Sequence, residues 1–95
     1  MFLGAYHFDG DPELLLPSYD LLRHGYPAGG LDLHVCLITA EGITVYDACP
    51  TEADFTAFST GPEFAAGLGG VGLPVPRIEA LGEVYAAEMR HAVTR

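Results

Sequence analysis

Two alternating segments, LDLHVCLIT (Leu31–Thr39) and ITVYDAC (Ile43–Cys49), are separated only by Ala40-Glu41-Gly42, and Pro50 follows the second. Alternation of this kind marks strands with one face turned to a core. So short a connection, ending in glycine, makes the pair an antiparallel hairpin. In the first strand Leu31, Leu33, Val35 and Leu37 face one way, and Asp32, His34, Cys36 and Ile38 face the other. With Glu41 and Gly42 as the turn residues, Cys36 is expected opposite Asp47 and His34 opposite Cys49, all on one face. A slip of one residue would turn every side chain to the other side.

The flanking segments complete an order. FLGAYHF (Phe2–Phe8) is short, aromatic-rich and closed by Asp9-Gly10-Asp11, which reads as a first strand. A helix follows, with Asp11 as N-cap, Pro12 at the first position and Glu13 in the first turn. Leu14, Leu15, Tyr19, Leu22 and Leu21 form its apolar stripe. Pro17 is expected to kink or split it, Gly25 to end it, and YPAGG (residues 26–30) to form a loop. After Pro50, TEAD has the form of a capping box with Asp in place of Glu and starts a second helix with Phe55 and Phe58 inward. The helix restarts at Gly61-Pro62 with Phe64 and Leu68, and GLGGVGLPVP (Gly67–Pro76) reads as loop. PRIEALGEVYAA (Pro76–Ala87) is a fourth strand in which Gly82 admits a bulge, and residues 88–95 are a tail.

The order β-α-β-β-α-β is that of an α+β, ferredoxin-like domain: a four-stranded antiparallel sheet with two helices on one face. The 95 residues suit one domain. The other face of the sheet is left bare, and two copies packing sheet to sheet would cover it as a homodimer.

Composition narrows the partners. Net charge is −9, with four arginines and no lysine. Phosphate contacts need cations, so neither nucleic acid nor an anionic membrane surface is expected as a partner. No apolar run approaches the roughly 18 residues of a membrane span. The N-terminus meets acid within ten residues and reads as a strand, not a signal peptide. Two cysteines then read as thiols in a cytoplasmic chain.

The segment HVCLITAEGITVYDACPTEADFTAF and the later GLPVPRIEALGEVYAA resemble the dimeric α/β-barrel superfamily, near small bacterial domains related to antibiotic-biosynthesis monooxygenases. The likeness in element order spans about residues 2 to 87. It implies a dimeric α/β barrel and a place in secondary metabolism. Members include cofactor-free oxygenases, haem degraders, polyketide cyclases, lactone isomerases and proteins without catalysis, so fold alone does not choose. The oxygenases and haem degraders typically use Asn and Trp in the pocket, and this chain has neither. That favours cyclisation, dehydration or isomerisation of a hydrophobic small metabolite without a cofactor. Such chemistry needs a base near a carbonyl and a donor for the oxyanion. A cofactor-free oxygenase and a non-catalytic binding or dimerisation module remain the alternatives.

Each candidate has a plainer account. His34, mid-strand, has the side chain whose ordinary pKa best suits proton transfer near neutrality, and the plain account is a hydrogen-bonded histidine in the sheet. Asp47 in a buried strand needs a partner, with His34, His7 and Arg77 in reach, and would orient the base or merely anchor the sheet. His7 is a second base candidate whose face is open. Arg77 would bind an oxyanion, or simply pair with Glu79 or Asp47. Tyr6, Tyr46 and Tyr85 supply hydroxyls and aromatic walls, as core packing would also explain. Tyr19 and His24 sit on the first helix, where a helix–sheet pocket would meet them. Phe8, Phe55, Phe58, Phe64 and Leu68 would be apolar walls. A metal held by Cys36, Cys49, His34 and Asp47 is disfavoured, because the spacing lacks the close pairs of structural zinc sites. The cysteines read as core.

Overall fold

The structure, a computed structural model, describes residues 1–25 and 31–93. The loop expected at residues 26–30 and the last two tail residues lie outside them. In chain order the elements are β1 (Phe2–Asp9), α1 (Pro12–Gly25), β2 (Leu33–Ile38), β3 (Gly42–Cys49), α2 (Glu52–Ser59), α3 (Pro62–Val71) and β4 (Arg77–Glu83). The strands form one antiparallel sheet in the order β2-β3-β1-β4. This is the α+β, ferredoxin-like arrangement.

Alternation sets the two faces. Phe2, Tyr6 and Phe8 of β1 and Ile43, Val45 and Cys49 of β3 are buried in one cluster with Leu15 of α1, Phe55 of α2 and Leu68 of α3. The opposite parity puts Leu3, Ala5 and His7 beside Thr44, Tyr46 and Ala48, on the face away from that cluster. At the centre of β1, Gly4 is what lets Phe55 settle on the sheet: a Cβ there would lie 1.9 Å from Cε2 of the ring.

The hairpin departs from the expected register. Ala40 and Glu41 are the turn residues, Thr39 N–H donates to the Gly42 carbonyl at 2.9 Å, and the Thr39 hydroxyl accepts from Gly42 N–H at 3.2 Å. His34 therefore lies opposite Asp47, and Cys36 opposite Val45. The cause lies in the third strand. Gly42 pairs with Asp9, and a Cβ on it would sit 2.1 Å from the Phe8 carbonyl oxygen, at a φ of +154°. Only glycine fits against β1 there, so Gly42 belongs to β3 and not to the turn. The shift is two residues, so the face of each paired side chain from Leu33 to Ile38 is kept, while Leu31, ahead of the strand, packs on the core instead.

The helices differ in detail. Asp11 caps α1 through its carboxylate, which accepts from Glu13 N–H at 2.9 Å. Pro17 does not split α1, which runs unbroken to Gly25. Proline this near the start forfeits a single bond, to the carbonyl of Glu13 on an otherwise intact turn. Leu15 is buried, and Leu16, Tyr19 and Leu22 pack on the core. Leu14 and Leu21, expected in that stripe, are 73% and 61% exposed. They stand seven apart on the neighbouring face. Thr51 caps α2, its hydroxyl accepting from Asp54 N–H at 3.1 Å.

The second helix stops at Ser59 and restarts as α3 at Pro62, as expected, but α3 continues to Val71 through glycines read as loop. Gly72 ends it at φ +83°, with its N–H on the Gly69 carbonyl and Leu73 N–H on the Leu68 carbonyl. That closure brings buried Leu73 against Leu68 and holds the last turn. β4 stops at Glu83, short of the expected Ala87, and its register against β1 shifts between Leu3 and Gly4, leaving Leu81 bulged beside Gly82. Residues 84–93 form neither helix nor strand.

Candidate functional site

Strand pairing places His34 and Asp47 side by side on the helix face, and α1 lays Tyr19 across them. The His34 Nδ1–Asp47 Oδ1 distance is 2.5 Å, and the Tyr19 Oη–His34 Nε2 distance is 2.5 Å. The Tyr19 and His34 rings are near-parallel, 10° apart with centroids at 5.9 Å. A carboxylate can only accept, so Nδ1 carries the imidazole hydrogen and donates it to Asp47. Nε2 is then left to accept from the Tyr19 hydroxyl. The chain of bonds has a direction: it can draw a proton from whatever meets Tyr19 and deliver it to His34, where Asp47 stabilises the imidazolium. Asp47, 6% exposed, meets the need of a buried carboxylate for a partner through this bond.

The three residues line a cavity of about 420 Å³ between the sheet and α1, α2 and α3. That is within the ordinary range for small-molecule sites. Phe8, Phe58, Phe64, Leu22, Leu31 and Leu73 supply apolar wall, and Tyr6 lines the same space. Arg23 and Glu63 are its charged lining beyond the relay.

Burial, then the Cys36 field, pushes the Tyr19 hydroxyl from 10.0 up to about 12, with Arg23 pulling the other way. The folded protein thus keeps a proton that the unfolded chain releases above pH 10.0. Stability is expected to fall as pH rises from there toward 12, and urea midpoints on either side of pH 10 would measure it, with Tyr19→Phe losing this component of the fall.

The other expected site residues are elsewhere. His7 points to the opposite face, its Nδ1 3.0 Å from the Thr44 hydroxyl and its Nε2 2.9 Å from Glu79. Arg77 lies opposite His7 in the sheet, exposed, with Asp9 at 3.8 Å and not Glu79 or Asp47 as its ion partner. Neither can share a site with His34 and Asp47 within one chain. Of the aromatic candidates, Tyr6, Tyr19 and Phe58 line the cavity. Phe58 is only half-buried, with its ring against Phe64. Phe55 is core behind the wall, its ring tilted against Phe2 and Tyr6. Tyr46 is on the far face, beside Ala5 and Val35, and Tyr85 is fully exposed past β4. His24 is exposed.

Cys36 and Cys49 form no disulfide, and burial together with Asp47 raises the Cys49 thiol pKa. Among the described residues, no three His, Cys, Asp or Glu side chains gather as a metal site. Arg23 was not singled out from the sequence, although it stands four residues after Tyr19 and so shares its side of the helix.

No family model and no curated protein matches the sequence. Among solved structures, the fold resembles that of a protein named as a candidate antibiotic biosynthesis monooxygenase from Deinococcus radiodurans. The TM-score is 0.63 at 14% identity, over 96% of this chain and 100% of the other. Also, no helix among the described residues is long and apolar enough to cross a membrane. The chain has the ferredoxin-like α+β fold of this antibiotic-biosynthesis-monooxygenase-like neighbour.

Proposed function

We propose that the protein is a small enzyme that moves protons on a hydrophobic carbonyl metabolite without a cofactor, with cyclisation, dehydration or isomerisation as the outcome. The observation that carries this is the Tyr19–His34–Asp47 chain at the wall of an apolar cavity. In the first step a proton leaves the carbon next to the ligand carbonyl for Tyr19 Oη, while the Tyr19 proton passes to His34 Nε2. The electron pair stays on the ligand as an enolate. Return of the proton to another carbon isomerises the ligand, expulsion of hydroxide with a proton dehydrates it, and attack on a second carbonyl cyclises it. A base held in place beside a bound ligand makes such steps effectively unimolecular.

The test needs no natural substrate. Cyclic ketones such as α-tetralone, incubated with the protein in deuterium oxide, should take up deuterium next to the carbonyl faster than in buffer, as followed by proton NMR. Ketones that bind in the cavity without exchanging would support the non-catalytic binding module instead. Oxygen uptake with release of an oxygenated product would support the oxygenase reading suggested by the neighbour's name.

The reading takes residues 1–95 as one unit working as a cytoplasmic homodimer through the open sheet face. Cys36 and Cys49 as thiols suit a reducing compartment. On the open face Val35 and Tyr46 stand side by side, both half-buried, with Leu33 and the 43% exposed Leu37 flanking Val35. Sedimentation should show a dimer for the natural chain and a monomer for Val35→Glu; a monomeric natural chain would remove the interface from the proposal.

A further inference from the structure

Tyr6 stands in the middle of β1, 1% exposed, its ring tilted against Phe55 at 5.8 Å and Phe64 at 5.0 Å. Its hydroxyl oxygen is buried and has no hydrogen-bond partner among the described residues. The other buried polar side chains are bonded: Thr44 to His7, Asp47 to His34, and Ser59 to the Thr56 carbonyl. A buried hydroxyl without an acceptor has given up its water for nothing, and a phenylalanine would fill the same space without that loss. Among the described residues it has no acceptor, and Tyr6 is one of the residues lining the cavity, so that is the side from which a ligand could supply one.

We infer that Tyr6 is the donor that fixes the ligand's oxygen in this cavity, and that the ligand is a neutral, largely apolar carbonyl compound. The inference rests on the acid–base reading above and narrows its substrate class. Burial, then the neighbouring Asp47 and Cys49, hold the proton firmly on the Tyr6 oxygen, so it acts as a donor and not as a base. Tyr6 pairs with Val45 in the sheet, which puts Asp47 on the adjacent diagonal of the same face. A ligand carboxylate set at Tyr6 would therefore meet a like charge close by, whereas a carbonyl oxygen would not. The remaining wall near it, Phe8, Phe64 and Leu73, asks for hydrocarbon. As the relay takes the proton, charge gathers on the carbonyl oxygen and the Tyr6 bond strengthens, so the same contact that selects the ligand favours the enolate.

The experiment compares α-tetralone with tetralin, which lacks the carbonyl, by calorimetric titration of the intact protein. Infrared spectra of bound tetralone serve as the second readout. The natural protein should bind the ketone roughly tenfold more tightly than the hydrocarbon, the size of one good hydrogen bond, with the carbonyl stretch shifted to lower frequency. Tyr6→Phe should lose that margin and the shift, while tetralin binding holds or improves. Equal binding of the two probes by the natural protein, or a ketone affinity and stretch unmoved by Tyr6→Phe, would overturn the inference and leave the cavity as a ligand site. Failure of both probes to bind would overturn the inference together with the functional reading. The probe comparison and the stretch are measured on the natural protein, so neither depends on the variant folding.

Discussion

His34→Ala is expected to slow ketone proton exchange by about 10²- to 10⁴-fold while leaving the fold in place. Two features set the size. Among the described residues the imidazole is the group that joins Tyr19 to Asp47, at 2.5 Å on each side, so its loss breaks the proton path and does not merely lengthen it. Its removal also leaves Asp47 buried without its partner, which costs some stability. Asp47→Asn separates the two effects. It keeps the volume but gives position 47 an amide N–H that can donate to Nδ1, so Nδ1 need no longer carry the hydrogen and the relay loses its direction. Exchange should then fall while thermal unfolding moves much less than in Asp47→Ala. Exchange in His34→Ala equal to that of the natural protein would take the relay out of the mechanism.

Gly4→Val should be strongly destabilising. Even the first added carbon would lie within 1.9 Å of Phe55 Cε2 and 2.3 Å of Cζ, both parts of a ring that is 2% exposed. That ring is itself wedged between Phe2 and Tyr6, at 5.6 and 5.8 Å, and has nowhere to turn. Overpacking of a tight core costs about 1–3 kcal/mol and occasionally more; here the upper end is expected, because ring, strand and α2 must all give. Gly69→Ala is the matching control, since a Cβ there meets nothing within 4 Å. Alanine within a helix should raise stability by somewhat less than about 1 kcal/mol. Urea midpoints of the two variants should move in opposite directions.

The elements and their order are legible in the residues because local chemistry decides them. Alternation in LDLHVCLIT and ITVYDAC, the Asp11 and Thr51 caps and the Pro12 start all act within a few positions. The hairpin register is not legible, because it is settled by the backbone of a third strand: Gly42 is needed against Phe8, more than thirty residues away in sequence. The reach of α3 is hidden for a similar reason. Its glycines argue for loop, and the packing of Leu68 and Leu73 overrides them. The side of His7 could have been read, since Phe2, Tyr6 and Phe8 make the large apolar set and leave Leu3, Ala5 and His7 for the other face. Tyr19 as the partner of His34 could not. Helix stripe and strand face each mark it as inward, but only the crossing of α1 over β2 and β3 brings its hydroxyl to one nitrogen.

The wall that α3 gives the cavity is also the part of the molecule with the least reason of its own to stay wound. Gly67, Gly69 and Gly70 fall within its ten residues, and its N-cap, Gly61, has no side chain to offer the first amides. Its order is borrowed from Leu68, from the Gly72 closure and from Phe64 at the cavity edge. Opening this wall is therefore expected to ask far less than opening the sheet. A ligand resting on Phe64 would tighten the helix it touches. Occupancy of the cavity would then be felt as rigidity along α3, so that these ten residues report that something is inside.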